Sequence, residues 1–129
     1  MCEITRFHHI GIATEDIDKM VIYLKNIMDS SEVGETVFDE KQNASLCMVT
    51  MTDGTQIELI SGPVVEKLVR KRTFLYHICY ETDDLEKQIE VLLAQGGMLV
   101  SESKEAILFG YKKVAFLMTE MGLIELVEA

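Results

Sequence analysis

Hydrophobic and polar residues alternate along residues 6–13, which predicts a β-strand with Ile10 and Ile12 on one face and His9 on the other. The apolar residues that follow recur at helical spacing, and Asp16 is a suitable N-cap for a helix at this place. The apolar stripe consists of Ile17, Met20, Val21, Leu24, Ile27 and Met28. It predicts a helix that buries one face against a sheet.

The remainder of the first half predicts three strands, at residues 32–38, 44–52 and 55–61. Asp53-Gly54, between the last two, is typical of a hairpin turn. Gly62-Pro63 then interrupts the pattern, so residues 63–73 are expected to form a linker. The first half therefore predicts the element order β-α-β-β-β.

The second half predicts the same order again. Its strands are expected at residues 75–81 and at about 98–102, 112–119 and 123–128. A helix is expected at about 84–95, between the first two of these strands. Gly96-Gly97 is expected to end this helix with a residue in the left-handed conformation.

Two stretches of the sequence repeat each other. Residues 9–19 read HIGIATEDIDK and residues 77–87 read HICYETDDLEK, so His9 and His77 are equivalent. Near the end of each half, Ile57-Glu58-Leu59-Ile60 matches Ile124-Glu125-Leu126-Val127. The shift is 68 positions for the histidines and 67 for the glutamates. Each half therefore carries one histidine near its start and one glutamate near its end.

The repeat predicts an α+β fold of two tandem β-α-β-β-β modules within one structural domain. The modules are residues 1–62 and 74–129, joined by the linker 63–73. Neither module alone can bury both faces of its sheet. We therefore expect the modules to combine into a cupped, eight-stranded mixed sheet with both helices outside.

Composition and charge exclude some classes of function. The chain has 129 residues and a net charge of −10, whereas a protein face that binds nucleic acid is basic. No apolar run has the length of a membrane span and the N-terminus shows no signal pattern, so cytoplasmic localisation is expected. Three cysteines without CxxC spacing argue against a disulfide framework or a zinc knuckle. Cys47 is interpreted as a small core residue, and Cys79, two residues after His77, as part of the wall of the site and not as a nucleophile.

Four residues form a candidate metal site: His9, Glu58, His77 and Glu125. Alternation along the strands places them opposite the apolar residues that are expected under the helices. Buried carboxylates are costly unless they are paired or bind a metal ion. Two imidazoles and two carboxylates suit Ni, Co, Zn, Mn or Fe, and four protein ligands leave positions for water or substrate. His8 has no equivalent in the repeat and is interpreted as structural.

Several segments give the sequence a family resemblance. They are His8-His9-Ile10-Gly11-Ile12-Ala13, Tyr76-His77-Ile78-Cys79-Tyr80-Glu81, and residues 113–117 with 122–128. Nearly the whole chain resembles the vicinal oxygen chelate (glyoxalase/bleomycin resistance/dioxygenase) superfamily, whose members pair two β-α-β-β-β modules around a divalent metal ion. Within the superfamily, the sequence most resembles methylmalonyl-CoA epimerases and small bacterial glyoxalase I-like proteins.

The resemblance implies that His9, Glu58, His77 and Glu125 bind one divalent metal ion, which would be Ni, Co, Zn or Mn. It implies an isomerase or lyase that shifts a proton on the carbon next to a carbonyl through a metal-bound enediolate. The substrate would be an acyl-CoA thioester, as in methylmalonyl-CoA epimerase, or a hemithioacetal, as in lactoylglutathione lyase. Members of the superfamily are often dimers, so a homodimer is expected.

The same resemblance implies roles for single residues. Glu125 is expected to be the catalytic base. Epimerisation needs a base on each face of the planar intermediate, and the segment before Gln42 is expected to supply the second, with Glu35 as the candidate. A solvated charge at the end of a strand is the more ordinary interpretation of Glu35. Glyoxalase I typically has the His/Glu/His/Glu set, whereas epimerases often have glutamine at the position of Glu58, so both substrates stay open.

Two other functions are known for proteins of this superfamily. A non-catalytic, antibiotic-resistance-type binding module is the main alternative, although binding-only relatives tend to lose the metal ligands. A ring-cleaving dioxygenase usually has two histidines and one carboxylate in a longer chain. Lys67, Arg70, Lys71 and Arg72 form a basic cluster that could contact CoA phosphates, but a solvated linker is the more ordinary interpretation of a charge run.

Overall fold

Nine strands and three α-helices make up residues 4–129, the part of the chain that the computed structural model describes. The strands are β1 (Ile4–Ala13), β2 (Ser30–Val33), β3 (Val37–Asp39), β4 (Ala44–Met51), β5 (Gln56–Ser61), β6 (Leu75–Thr82), β7 (Met98–Ala106), β8 (Lys112–Thr119) and β9 (Gly122–Glu128). The helices are α1 (Ile17–Ile27), α2 (Glu66–Arg70) and α3 (Leu85–Ala94). Within residues 4–129, no helix is long and apolar enough to cross a membrane.

The described residues divide into two compact units, and strand β1 contributes to both. The His9 unit is His9–Tyr76. The His77 unit consists of the described residues up to His8 together with His77–Ala129. The predicted linker lies in the His9 unit, where it forms a 3-10 turn, Pro63–Val65, and the short helix α2.

The sheet of the His9 unit has the strand order β2-β4-β5-β1, and β3 also pairs with β4. β1 and β5 are parallel, and the other pairs are antiparallel. Helix α1 covers one face of this sheet. Its residues Ile17 and Leu24 pack with Cys47, Val49 and Leu59 in a buried core. Met20 and Val21 pack against the same core, so the first part of the predicted stripe and the predicted face of Leu59 are confirmed. The end of the predicted stripe was wrong: Ile27 is exposed, and Met28 lies after the helix and is exposed as well.

The predicted strand 32–38 is two strands in the structure. β2 pairs with residues 49–51 of β4, and β3 pairs with residues 44–46. Between them, the Gly34 N–H donates to the Met48 carbonyl at 2.8 Å, and an added Cβ at Gly34 would lie 3.1 Å from the same oxygen. The strand is interrupted over residues 34–36, so the described chain has nine strands where the pattern predicts eight.

The sheet of the His77 unit has the order β1-β6-β9-β8-β7, with β6 and β9 parallel. Helix α3 packs Leu85 and Ile89 on Leu117, Ile124 and Leu126 of this sheet. Strand β7 extends to Ala106, beyond its predicted end at 102. Its pairing with β8 shifts register twice between residues 99 and 104. These shifts interrupt the alternation of side chains and so hide the second half of the strand from the sequence pattern.

Helices α1 and α3 begin with the same hydrogen-bonded turn. The Thr14 hydroxyl accepts from the Asp16 N–H at 3.2 Å, and the Asp16 carboxylate accepts from the Lys19 N–H at 3.1 Å. The same two bonds, with the same lengths, join the residues 68 positions further on, which are Thr82, Asp84 and Lys87. Asp16 is therefore the N-cap that the sequence predicts, and the repeat extends to the hydrogen bonds of the caps.

Helix α3 ends in a Schellman motif. Gly96 has the left-handed φ of 92°, its N–H donates to Leu93 at 3.1 Å, and the Gly97 N–H donates to Leu92 at 2.9 Å. An added Cβ at Gly97 would lie 2.8 Å from the Leu92 carbonyl oxygen, closer than real Cβ contacts allow. The predicted left-handed end of this helix is confirmed.

Helix α2 ends in the same motif but with arginine at its left-handed position. Arg72 has a φ of 58°, its N–H donates to Val69 at 3.0 Å, and the Thr73 N–H donates to Leu68 at 2.9 Å. The Arg72 guanidinium lies 5.7 Å from the centroid of the Phe74 ring. Glycine is the usual residue at this position because a Cβ makes the left-handed conformation less stable.

Candidate metal centre

The parallel strands β1 and β5 of the His9 unit bring His9 to Glu58. Glu58 lies opposite Gly11, two residues after the histidine, and His9 Nε2 is 3.3 Å from Glu58 Oε1. The residues are 0% and 2% exposed. Because Ile57 and Leu59 pack with the core under α1, the intervening Glu58 side chain points to the other face of the sheet.

Strands β6 and β9 repeat this arrangement in the His77 unit. Glu125 lies opposite Cys79, again two residues after the histidine, and His77 Nε2 is 3.1 Å from Glu125 Oε1. The residues are 3% and 1% exposed. Ile124 and Leu126 pack under α3 on the opposite face. The structure therefore forms two equivalent, buried His–Glu pairs, one in each unit.

The geometry of each pair fits metal ligands. A metal ion holds imidazole nitrogen and carboxylate oxygen at about 2.0–2.2 Å, which places two neighbouring ligand atoms about 3.0–3.4 Å apart in octahedral or tetrahedral coordination. The Nε2–Oε1 distances of 3.3 and 3.1 Å lie in this range. A buried carboxylate needs a positive partner, and a divalent cation is such a partner. The donor set thus fits a divalent metal ion.

A buried aromatic ring contacts the histidine of the second pair. The rings of His77 and Phe116 meet edge to face, with centroids 5.3 Å apart and an interplanar angle of 82°. Phe116 belongs to an apolar cluster with Cys79, Val114 and Val127. Cys79 is fully buried in that cluster, which agrees with its interpretation as part of the site wall.

His8 has a ring contact of its own. It lies edge to face on Phe109, with centroids 5.3 Å apart and an interplanar angle of 85°. Both rings belong to the His77 unit, and each is half-buried. Through this contact His8 packs within the His77 unit, which agrees with its interpretation as a structural residue.

Cys47 lies in the core under α1 and donates to the Gly34 carbonyl at 3.4 Å. Burial raises the pKa of this thiol above its ordinary 9.0, a hydrogen bond with Thr36 acts in the opposite direction, and the Asp18 carboxylate raises the pKa further. The thiol is therefore protonated at neutral pH. The predicted core role of Cys47 is confirmed.

The structure places Glu35 in the loop between β2 and β3, where its side chain is exposed. The same segment holds a buried carboxylate that the sequence pattern did not single out, Asp39, which is 3% exposed. Asp39 accepts hydrogen bonds from the Lys41 N–H at 2.9 Å, the Gln42 N–H at 3.3 Å and Gln42 Nε2 at 3.0 Å. These bonds hold the turn between β3 and β4, so Asp39 has a structural role there.

Residues 8–116 match the family model of the glyoxalase/bleomycin resistance protein/dioxygenase superfamily. The chain belongs to this superfamily. It is 26% identical over 120 residues to the mitochondrial methylmalonyl-CoA epimerase of Dictyostelium discoideum, a match that covers 88% of this chain and 70% of that protein.

Two solved structures have the same fold. The methylmalonyl-CoA epimerase of Mycobacterium tuberculosis aligns with a TM-score of 0.85 and 22% identity over 99% of this chain and 90% of that chain. The methylmalonyl-CoA epimerase of Streptomyces coelicolor, in complex with 2-nitronate-propionyl-CoA, aligns with a TM-score of 0.76 and 24% identity over 98% of both chains. The protein therefore has the vicinal oxygen chelate fold of these epimerases.

Proposed function

We propose that this protein is a metal-dependent epimerase that acts on an acyl-CoA thioester, as methylmalonyl-CoA epimerase does. The observation that carries the proposal is the buried His–Glu pair that recurs in the same strand register in both units. The similarity to epimerases supports the substrate class. Another structure with this fold is a methylmalonyl-CoA epimerase in complex with methylmalonyl-CoA.

We further propose that the two pairs bind one divalent metal ion together. Each of the four residues offers one ligand atom, so the two pairs together supply two nitrogens, from His9 and His77, and two oxygens, from Glu58 and Glu125. This donor set suits Ni, Co, Zn or Mn. When bound, the ion would stabilise negative charge that develops on the substrate's carbonyl oxygen.

Glu125 is proposed as the base that removes the proton from the carbon next to the thioester carbonyl. Its carboxylate is buried, which excludes water that would otherwise compete for the proton. Epimerisation is complete when a second group returns a proton to the opposite face of that carbon. Glu35 is the carboxylate proposed for this role, and its exposed position requires that bound substrate reach the β2–β3 loop.

A glyoxalase I-like activity is the second candidate function, and Glu58 is the residue that favours it. The His/Glu/His/Glu set is typical of glyoxalase I, whereas epimerases often have glutamine at the position of Glu58. Both reactions begin with removal of a proton next to a carbonyl. The two functions therefore differ in the substrate that the protein accepts.

The test combines metal analysis with two assays on the purified full-length protein. We expect one divalent metal ion per chain and exchange of solvent deuterium into methylmalonyl-CoA. Isomerisation of the hemithioacetal of methylglyoxal would instead support the glyoxalase I-like function. A protein that binds none of Ni, Co, Mn and Zn would contradict both.

A neighbouring pair of histidines supplies the matched control. His9→Ala removes a proposed ligand, so we expect it to lose the metal ion and the activity. His8→Ala removes the adjacent imidazole, which packs on Phe109, so it should keep both. Equal loss of metal in the two variants would contradict the assignment of His9. The mass of the protein in solution would test the expected homodimer.

A further inference from the structure

The C-terminal part of the predicted linker concentrates positive charge in an acidic chain. Four of the twelve lysine and arginine residues lie within residues 67–72, although the net charge is −10. We call Lys67, Arg70, Lys71 and Arg72 the basic segment, and all four side chains are exposed. Arg70 is paired with Glu66 at 3.2 Å, and both of these side chains are about two-thirds exposed. The segment therefore presents charge to solvent instead of using it in the core.

Arg72, one of the four charges, lies at a position where the backbone favours glycine. Helices α2 and α3 end in the same motif, but the left-handed residue is Gly96 in one and Arg72 in the other. Glycine adopts this conformation at lower cost than arginine. The contact of the guanidinium with Phe74 offsets part of this cost, and the exposed side chain leaves the charge accessible to a ligand.

A groove lies beside the basic segment in the His9 unit. Its volume is about 540 Å³, and its lining includes Thr14, Gly62, Pro63, Val69 and Arg70. Thr14 follows β1 and Gly62 follows β5, so the groove lies where these parallel strands end. Two carboxylates, Glu15 and Glu66, also line it. Because Arg70 is paired with Glu66, attraction for phosphate groups would come from Lys67 and Lys71 of the basic segment, while Pro63 and Val69 offer apolar contacts in the groove.

The strands connect the groove to the His9–Glu58 pair. Thr14 is five residues after His9, and Gly62 is four residues after Glu58. At about 3.3 Å per strand residue, these separations correspond to about 13–17 Å along the strands. A substrate with its reacting carbon at the pair and charged groups at the groove must therefore have a long connecting arm. Acyl-CoA has such an arm, the pantetheine chain, between its thioester and its phosphates.

We infer that the basic segment and the adjoining groove bind the phosphate-bearing nucleotide end of the acyl-CoA substrate. The inference rests on the proposed acyl-CoA activity, and it assigns that substrate a second contact region in the His9 unit. Exposed lysines act here as point charges that attract phosphate groups over distances comparable with the screening length of the buffer. The binding is therefore expected to weaken as salt is added.

The test is titration calorimetry of the full-length protein with CoA and with pantetheine, which lacks the phosphates. Lys67→Gln/Lys71→Gln removes two charges of the basic segment. Lys112→Gln/Lys113→Gln is the matched control, because it removes two exposed lysines of the His77 unit. We expect the first variant to bind CoA at least tenfold more weakly at low salt and to bind pantetheine unchanged. The control should bind both as the unaltered protein does.

Kinetics on the CoA thioester provide a second measurement. We expect a KM at least tenfold higher with kcat unchanged for the basic-segment variant, because the charges lie away from the reacting carbon. CoA affinity equal to that of the unaltered protein, or an equal loss in the control variant, would overturn the inference. The titrations need no turnover, so a protein that binds CoA through this segment yet exchanges no proton would contradict the proposed function alone.

Discussion

The imidazole of His77 meets the edge of Phe116 with the same geometry that His8 makes with Phe109, with ring centroids 5.3 Å apart in each pair. His77 is a proposed metal ligand and His8 is not. The two contacts therefore allow the orienting effect of a ring on a ligand to be separated from its contribution to packing.

We predict that Phe116→Leu weakens metal binding several-fold, because the imidazole of His77 loses the ring that fixes its orientation. The substitution should also lower the free energy of unfolding by about 1–2 kcal/mol, since Phe116 is buried in an apolar cluster. Phe109→Leu is the control and should leave metal affinity unchanged. Competition with a chelator of known affinity measures the effect. An equal loss in both variants would show that the ring contact does not position His77.

Glu125 and Glu58 are buried to the same degree but have different proposed roles. We predict that Glu125→Gln lowers the rate of deuterium exchange into methylmalonyl-CoA by at least about 100-fold, because the amide cannot accept the proton. Glu58→Gln should retain activity within about tenfold, since an amide oxygen can still bind a metal ion. The metal content of each variant separates loss of the base from loss of the ion. Exchange near the unaltered rate in metal-loaded Glu125→Gln would refute its role as base.

The left-handed positions at the ends of α2 and α3 predict opposite effects on stability. Arg72→Gly should raise the free energy of unfolding by about 0.5–1 kcal/mol, because relief of the left-handed backbone outweighs the lost contact with Phe74. Gly96→Arg should lower it by about 1 kcal/mol. Urea unfolding of both variants measures the changes. A loss of stability in Arg72→Gly would show that the guanidinium contact is the stronger effect.

The raised pKa of Cys47 predicts a dependence of stability on pH. The folded protein holds the thiol proton more tightly than the unfolded chain does. The stability that depends on this proton is therefore complete below the ordinary pKa of 9.0 and is lost as the pH rises above it. We expect the free energy of unfolding to fall less between about pH 8 and 10 in Cys47→Ala than in the unaltered protein. Urea unfolding across this range gives the two slopes, and parallel slopes would contradict the prediction.

Thiol labelling gives an independent measurement of the burial of Cys47. In a Cys2→Ser protein, the remaining cysteines are Cys47 and Cys79, and both are buried. We expect a maleimide reagent at neutral pH to modify them only after the chain unfolds. Rapid labelling of the folded protein would contradict this expectation, and identification of the labelled residue would show whether the core under α1, around Cys47, or the cluster around Cys79 opens.

The sequence could predict the features that depend on local pattern. The faces of Glu58 and Glu125 follow from alternation, and the end of α3 follows from the conformational freedom of Gly96. The repeat of 68 positions was sufficient to identify His9 and His77 as equivalent. The structure extends that equivalence to strand register, because each glutamate lies opposite the second residue after its histidine.

Features that depend on contacts distant in sequence could not be predicted in this way. The interruption between β2 and β3 lies where Gly34 closely approaches the Met48 backbone, and no local pattern encodes that contact. The burial of Asp39 depends on the turn that it holds with Gln42. The substrate is not predicted either, because the same ligand chemistry serves an acyl-CoA thioester and a hemithioacetal.

Strand β1 belongs to both units, which affects any attempt to produce the two halves of the chain as separate fragments. Arg6, Phe7 and His8 contact Glu81, Tyr80 and Phe109 of the His77 unit, although they precede the histidine of the other unit. A fragment that begins at residue 74 would lack the partner that β1 gives to β6 and would expose a strand edge. The second half of the chain therefore depends on residues 6–8 of β1 for a complete sheet, and a fragment that includes them is expected to fold better than one that lacks them.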